Sequence, residues 1–141
     1  MYAGDVMETI VGTQNILVVE DQEGPRKALL IILNSFNRVY TASTASAALA
    51  ILDACPMDLV IMDVGLPDYS GLELLQRMRA HGHNVKVIVM SGRGSVESAE
   101  EAMRLEAVAY LLKPFNFHEV IALVQAGGEA SAVELAAGAM K

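Results

Sequence analysis

The sequence predicts an α/β fold, a doubly wound five-stranded parallel sheet with helices on both faces. Two observations predict it. Short runs that are apolar on both faces, most of them rich in β-branched residues, recur along the chain, as strands buried on two sides require. Longer amphipathic segments of helical period separate them, and alternation of this kind builds an open parallel sheet.

Residues 1–14 (MYAGDVMETIVGTQ) have no clear period and hold two glycines, so they read as an N-terminal extension. The first strand is the run at 16–19. Pro25 suits the first turn of a helix over 25–36, where a missing N–H costs nothing. Leu29, Ile32, Leu33 and Phe36 share one face of that helix, and Leu30 and Ile31 are apolar residues in excess of one core face. The segment 38–42 (RVYTA) is a weaker strand with a more polar edge. An alanine-rich helix follows over 44–54, then a strand at 59–62. Ser70 and Glu73 form a capping box for a helix over 71–80, and Gly82 stands just past its end. A strand at 85–90 leads to a helix that Ser95 can cap and that runs to about Glu106. The last strand is the run at 107–112. Asn116 and Glu119 form a second box for a helix over 117–125, which Gly127-Gly128 stops. The expected organisation is an extension (1–14), one domain (15–127) and an alanine-rich helical tail or linker (128–141).

Composition bounds what this fold does. The chain has 141 residues, enough for one domain with a core, and 53% are hydrophobic. Its 17 acids against 10 bases give a net charge of −7, which argues against a direct nucleic-acid partner. The lone cysteine, Cys55, makes an internal disulfide impossible, and no apolar run approaches the roughly 20 residues of a membrane span. The N-terminus lacks the pattern of a signal peptide. A soluble cytoplasmic protein without a membrane partner is expected.

In an open parallel sheet, ligands bind at the carboxyl ends of the strands. Here the first strand ends in Glu20-Asp21, the third in Asp63, the fourth in Ser91-Gly92 and the fifth in Lys113-Pro114. Taken singly these are ordinary features: a turn-forming aspartate, a loop serine, a strand-terminating Lys-Pro. Together they bring three carboxylates, a hydroxyl and an ammonium to one rim. Neighbouring carboxylates repel, and a hard divalent cation relieves them; Mg²⁺ takes one or two carboxylates and fills its shell with waters and phosphate oxygens. Asp63 can serve as a nucleophile toward phosphorus, and Lys113 can offset charge on the transferring group.

The segments ILVVEDQ (16–22), LVIMDVGLPDYSG (59–71), VIVMSG (87–92) and AYLLKPF (109–115) resemble the receiver domain of the response-regulator family of two-component and phosphorelay signalling, over roughly 16–126. The resemblance implies a flavodoxin-like (βα)5 fold with strand order 2-1-3-4-5. It implies that Glu20 and Asp21 hold Mg²⁺ with Asp63 and the backbone carbonyl of Gly65, and that Asp63 accepts the phosphoryl group. It makes Lys113 the partnering lysine, followed by a proline often in a cis peptide bond. Ser91 and Tyr110 become the switch pair: Ser91 turns to the phosphoryl group, Tyr110 swings inward, and the surface of the fourth helix, fifth strand and fifth helix changes for a partner. The implied phosphodonor is a histidine kinase or histidine phosphotransfer protein that docks partly on the first helix, and the implied assembly is a monomer or weak homodimer. Two positions depart from the family pattern. Leu66 replaces a usual methionine, and Gly65 stands where a side chain commonly tunes hydrolysis of the acyl phosphate.

Two other readings carry distinguishing features. A Mg²⁺-dependent aspartyl-phosphate phosphohydrolase expects a second acid two residues after the nucleophile, where this chain has Gly65. A degenerate receiver, binding partners without phosphorylation, expects gaps in the Glu20, Asp21, Asp63, Ser91, Lys113 set, and there are none. Gly92-Arg93-Gly94 lacks the third glycine of a dinucleotide fingerprint. His81, His83 and His118 have no metal-like company in the sequence and read as surface residues, and the methionines read as core filler.

Overall fold

A computed structural model describes residues 13–126, so the expectations placed on 1–12 and on the tail beyond 126 lie outside the described residues. The elements are β1 (Asn15–Val19), α1 (Glu23–Leu33), β2 (Arg38–Ala42), α2 (Ala45–Ala54), β3 (Leu59–Asp63), α3 (Gly71–Ala80), β4 (Lys86–Ser91), α4 (Val96–Arg104), β5 (Ala109–Leu112) and α5 (Phe117–Gln125). The strands form one parallel sheet in the order β2-β1-β3-β4-β5. This is the expected doubly wound topology.

Alternation along the strands divides the core in two. Leu17, Val19, Val60, Met62, Val87 and Val89 face α2, α3 and α4, packing on Ala48, Leu52, Leu74, Leu75, Met78 and Ala102. Ile16, Val18, Leu59, Ile61, Ile88 and Met90 face α1 and α5, packing on Leu29, Leu33, Val120, Leu123 and Val124. β3, in the middle of the sheet, is buried at every residue including Asp63. That burial on both faces is why the runs carry no polar alternation.

Four boundaries differ from expectation by two residues or more, each for a local reason. Helix α1 starts at Glu23, so Pro25 is its third residue, still within the turn whose N–H groups lack intrahelical acceptors. It ends at Leu33, where the Asn37 side-chain amide donates to the Leu33 carbonyl at 3.1 Å. Phe36 therefore leaves the helical spiral and is 68% exposed, not part of the buried face. Helix α4 stops at Arg104 because Glu106 adopts a left-handed conformation (φ 66°). The N–H of Glu106 donates to the Met103 carbonyl and that of Ala107 to the Ala102 carbonyl, the Schellman pattern. That delays β5 to Ala109. At α3, Ser70 Oγ accepts the Glu73 N–H as expected, but the Glu73 carboxylate turns to Arg77 at 2.6 Å. The reciprocal capping bond is made at α5, between Asn116 and Glu119.

Two side chains unremarked in the sequence tie loops together. Asp68 accepts the N–H groups of Ala45 and Ser46 at 2.9 and 2.8 Å, capping α2 from the β3–α3 loop. Partial desolvation alone would raise its carboxyl, but those backbone donors prevail and hold it far below the ordinary aspartate range. Arg79 donates to the carbonyls of His83, Val85, Leu105 and Glu106, joining the α3–β4 turn to the α4–β5 turn.

Candidate functional site

The carboxyl ends of β1, β3, β4 and β5 meet at one rim, as parallel pairing of adjacent strands requires. Asp63 is the last residue of β3 and Ser91 the last of β4, while Glu20-Asp21 and Lys113 directly follow β1 and β5. Glu20 is fully buried, Asp63 is 7% exposed, and Asp21 is exposed. Oxygens of the three carboxylates lie within 4.8 Å of one another.

Lys113 reaches into this cluster. Its Nζ donates to Glu20 Oε1 at 2.8 Å and to Asp63 Oδ2 at 3.1 Å. Burial pushes the Glu20 carboxyl up, opposed by the bonds from Lys113 and from the Gln22 N–H; the net direction is up. Burial would lower the Lys113 ammonium, but its bonds to Glu20 and Asp63 prevail and raise it. One ammonium thus faces three carboxylates. The all-oxygen donor set and the residual negative charge fit a hard divalent cation such as Mg²⁺, which would supply the missing charge.

Asp63 and Lys113 line a cavity of about 450 Å³ with Gly65, Ser91, Gly92 and Arg93. Ser91 is 4% exposed, and its Oγ accepts the Arg93 N–H at 3.1 Å. The Lys113 N–H donates to the Ser91 carbonyl at 2.8 Å, tying the β4 and β5 ends together. The Lys113–Pro114 peptide is cis. A position for Gly65 at the cavity wall leaves open space where a Cβ would project.

Tyr110 differs from its expected resting place. Its ring is already inside, 1% exposed in the α2–α4 core, and its hydroxyl has no hydrogen-bond partner among the described residues. Gly94 lies beside it, where a Cβ would overlap the Leu112 side chain and stand 3.4 Å from the Tyr110 ring.

Two contributors were not legible in the sequence. Arg26 donates to the carbonyls of Glu20 and Asp21 at 3.1 and 3.2 Å, steadying the acidic pair from α1. Gly71 abuts the Asp63 backbone, where a Cβ would overlap the Asp63 carbonyl oxygen. The structure also corrects the reading of two histidines. His81 and His83 have Asp53 between them, on the other rim of the sheet. His118 is exposed, as expected.

Comparison with known proteins bears on the family of the chain. Residues 16–125 match the family described as the response regulator receiver domain. The transcriptional regulatory protein FixJ of Azorhizobium caulinodans is 42% identical over 112 residues, covering 77% of this chain and 52% of that protein. This chain therefore spans about half the length of that relative. The sporulation initiation phosphotransferase F of Bacillus subtilis is 32% identical over 108 residues, covering 76% of this chain and 87% of its own. Among solved structures, a response regulator receiver protein from Pseudomonas putida matches with a TM-score of 0.77 at 32% identity, covering 82% of this chain and 98% of its own. The BeF3-activated DrrB receiver domain matches with a TM-score of 0.74 at 30% identity, covering 82% and 97%. With its sheet order, its rim of acids and lysine, and these matches over most of its length, the chain belongs to the family of response regulator receiver domains.

Proposed function

We propose that Asp63 accepts a phosphoryl group from the phosphohistidine of a histidine kinase or histidine phosphotransfer protein. The observation that carries this reading is the Asp63 carboxylate at the cavity wall, held 3.1 Å from the Lys113 ammonium beside Glu20. A carboxylate oxygen of Asp63 attacks phosphorus, the P–N bond to imidazole breaks, and the departing imidazole takes up a proton. Lys113 offsets charge on the transferring oxygens. Glu20, Asp21 and Asp63, with the Gly65 carbonyl, would hold a Mg²⁺ ion, whose contribution when bound is charge neutralisation on the phosphoryl oxygens.

Ser91 and Tyr110 carry the readout. Rotation of the Ser91 hydroxyl toward the acyl phosphate exchanges its bond to the Arg93 N–H for one to the phosphoryl group, and draws the β4–α4 loop inward. The inward Tyr110 is favoured by that movement, so phosphorylation shifts a population that the fold already supports. The exposed Val96 and Met103 of α4 and Phe117 of α5 give the adjoining surface apolar contacts for a partner. A phosphohydrolase is disfavoured because Gly65 offers no acid two residues after the nucleophile.

Incubation with acetyl phosphate and Mg²⁺, followed by a phosphate-affinity gel, is expected to give a retarded band in the native chain and none in Asp63→Ala. A band of equal strength in the variant overturns the assignment. Gly65→Asn is expected to slow dephosphorylation severalfold once donor is removed. The added side chain enters open space and shields the acyl phosphate from water. Unchanged or faster decay would contradict that role for position 65.

A further inference from the structure

Away from the acidic cavity, the structure gathers a second set of ligating atoms. Asp53 lies in the last turn of α2, His81 is the C-cap of α3, and His83 follows Gly82 in the α3–β4 turn. Asp53 Oδ1 lies 3.2 Å from His81 Nδ1 and 2.7 Å from His83 Nε2. The three ligating atoms all lie within 4.8 Å of one another. These residues precede β3 and β4, whereas Asp63 and Ser91 end them. The two clusters therefore lie at opposite ends of strands roughly 15 Å long.

We infer that Asp53, His81 and His83 form a surface site for a borderline divalent transition metal of the Zn²⁺ class. Two imidazoles with one carboxylate are the donor set such ions prefer, and a poor one for Mg²⁺, which takes oxygen ligands. Tetrahedral bonds of about 2.0–2.1 Å put neighbouring ligand atoms roughly 3.3 Å apart. The 3.2 Å separation already has that spacing, and the 2.7 Å one needs a small opening. The side chains are 44%, 24% and 48% exposed for His81, His83 and Asp53, so an ion has access and solvent can fill a fourth position.

The backbone holds these ligands in place before any ion arrives. Gly82 takes a left-handed conformation (φ 86°), and the His83 N–H donates to the Met78 carbonyl, which fixes the turn that presents both rings. Arg79 Nη1 donates to the carbonyls of His83 and Val85 at 2.8 Å each, pinning the same turn. Little ordering is left to oppose binding. A bound ion would fasten the end of α2 to the α3–β4 turn. This site is independent of the phosphoacceptor reading.

Calorimetric titration of the full chain with ZnCl₂, in excess MgCl₂ to occupy oxygen-only sites, tests the inference. One Zn²⁺ per chain is expected, with His118→Ala unchanged. His81→Ala and His83→Ala should each weaken binding by more than about tenfold, since even losing a ligand's hydrogen-bond partner costs that much in known sites. The ring resonances of His81 and His83 in the native chain, followed by NMR, should shift with Zn²⁺ while those of His118 do not; this arm needs no variant to fold. Absence of saturable Zn²⁺ binding, equal affinity in the His81→Ala/His83→Ala double variant, or unmoved His81 and His83 resonances would each overturn it.

Discussion

Lys113→Met is expected to slow phosphoryl transfer to Asp63 by about a hundredfold or more, the scale seen when one preorganised charge donor is removed. The same change should destabilise the fold by about 2–3 kcal/mol. That is somewhat below the usual cost of orphaning a buried ion-pair partner, because a quarter of the Lys113 side chain is exposed. The deficit should depend on pH in a definite direction. Burial already raises the Glu20 carboxyl, and loss of its bond to Lys113 removes the main opposing influence. A carboxyl raised in the folded state binds its proton more tightly there than in the unfolded chain. Its contribution is therefore greatest at acidic pH and is lost as pH climbs through the raised value. Urea unfolding should show the largest gap between variant and native chain near neutrality and a smaller one toward pH 5. A gap that widens on acidification would contradict this account of Glu20 and Lys113.

Gly71→Ala should damage stability and phosphorylation together. The added Cβ would overlap the Asp63 carbonyl oxygen and lie 3.0 Å from both the Asp63 carbonyl carbon and the Val64 Cα. These are backbone atoms at the end of β3 and cannot rotate aside. Either α3 or the phosphoacceptor strand end must move, at a cost of about 1–3 kcal/mol. The helix-propensity gain of alanine, up to about 1 kcal/mol, offsets only part of this. Gly24→Ala is the matched control, since nothing lies within 4 Å of a Cβ there. Denaturation midpoints and initial phosphorylation rates should both fall for Gly71→Ala and stay near native for Gly24→Ala. Equal behaviour of the two would remove the case for Gly71 as a positioning residue.

The features legible in the sequence were those set by local pattern. β1, β3 and β4 announce themselves because both faces are buried, and the rim follows because every strand of a parallel sheet ends on the same side. Glu20, Asp21, Asp63, Ser91 and Lys113 could thus be placed together without coordinates. What escaped depends on contacts across the fold. The end of α1 is set by the Asn37 bond to Leu33, and the delayed start of β5 follows from a left-handed Glu106, a conformation no glycine signals. Asp53 is separated from His81 and His83 by 28 and 30 residues, so only packing of α2 beside α3 joins them. Gly71 reads as a helix start, and its close approach to Asp63 is a tertiary fact. The burial of Tyr110 likewise follows from how α2, α3 and α4 pack on the sheet.

After incubation with acetyl phosphate and Mg²⁺, reduction with borohydride and peptide mass spectrometry locate any acyl phosphate by converting its aspartate to homoserine. The result predicted is conversion at Asp63 alone, dependent on both donor and Mg²⁺. Conversion at another carboxylate, or none in a folded chain exposed to donor and Mg²⁺, would contradict the claim that Asp63 is the phosphoacceptor.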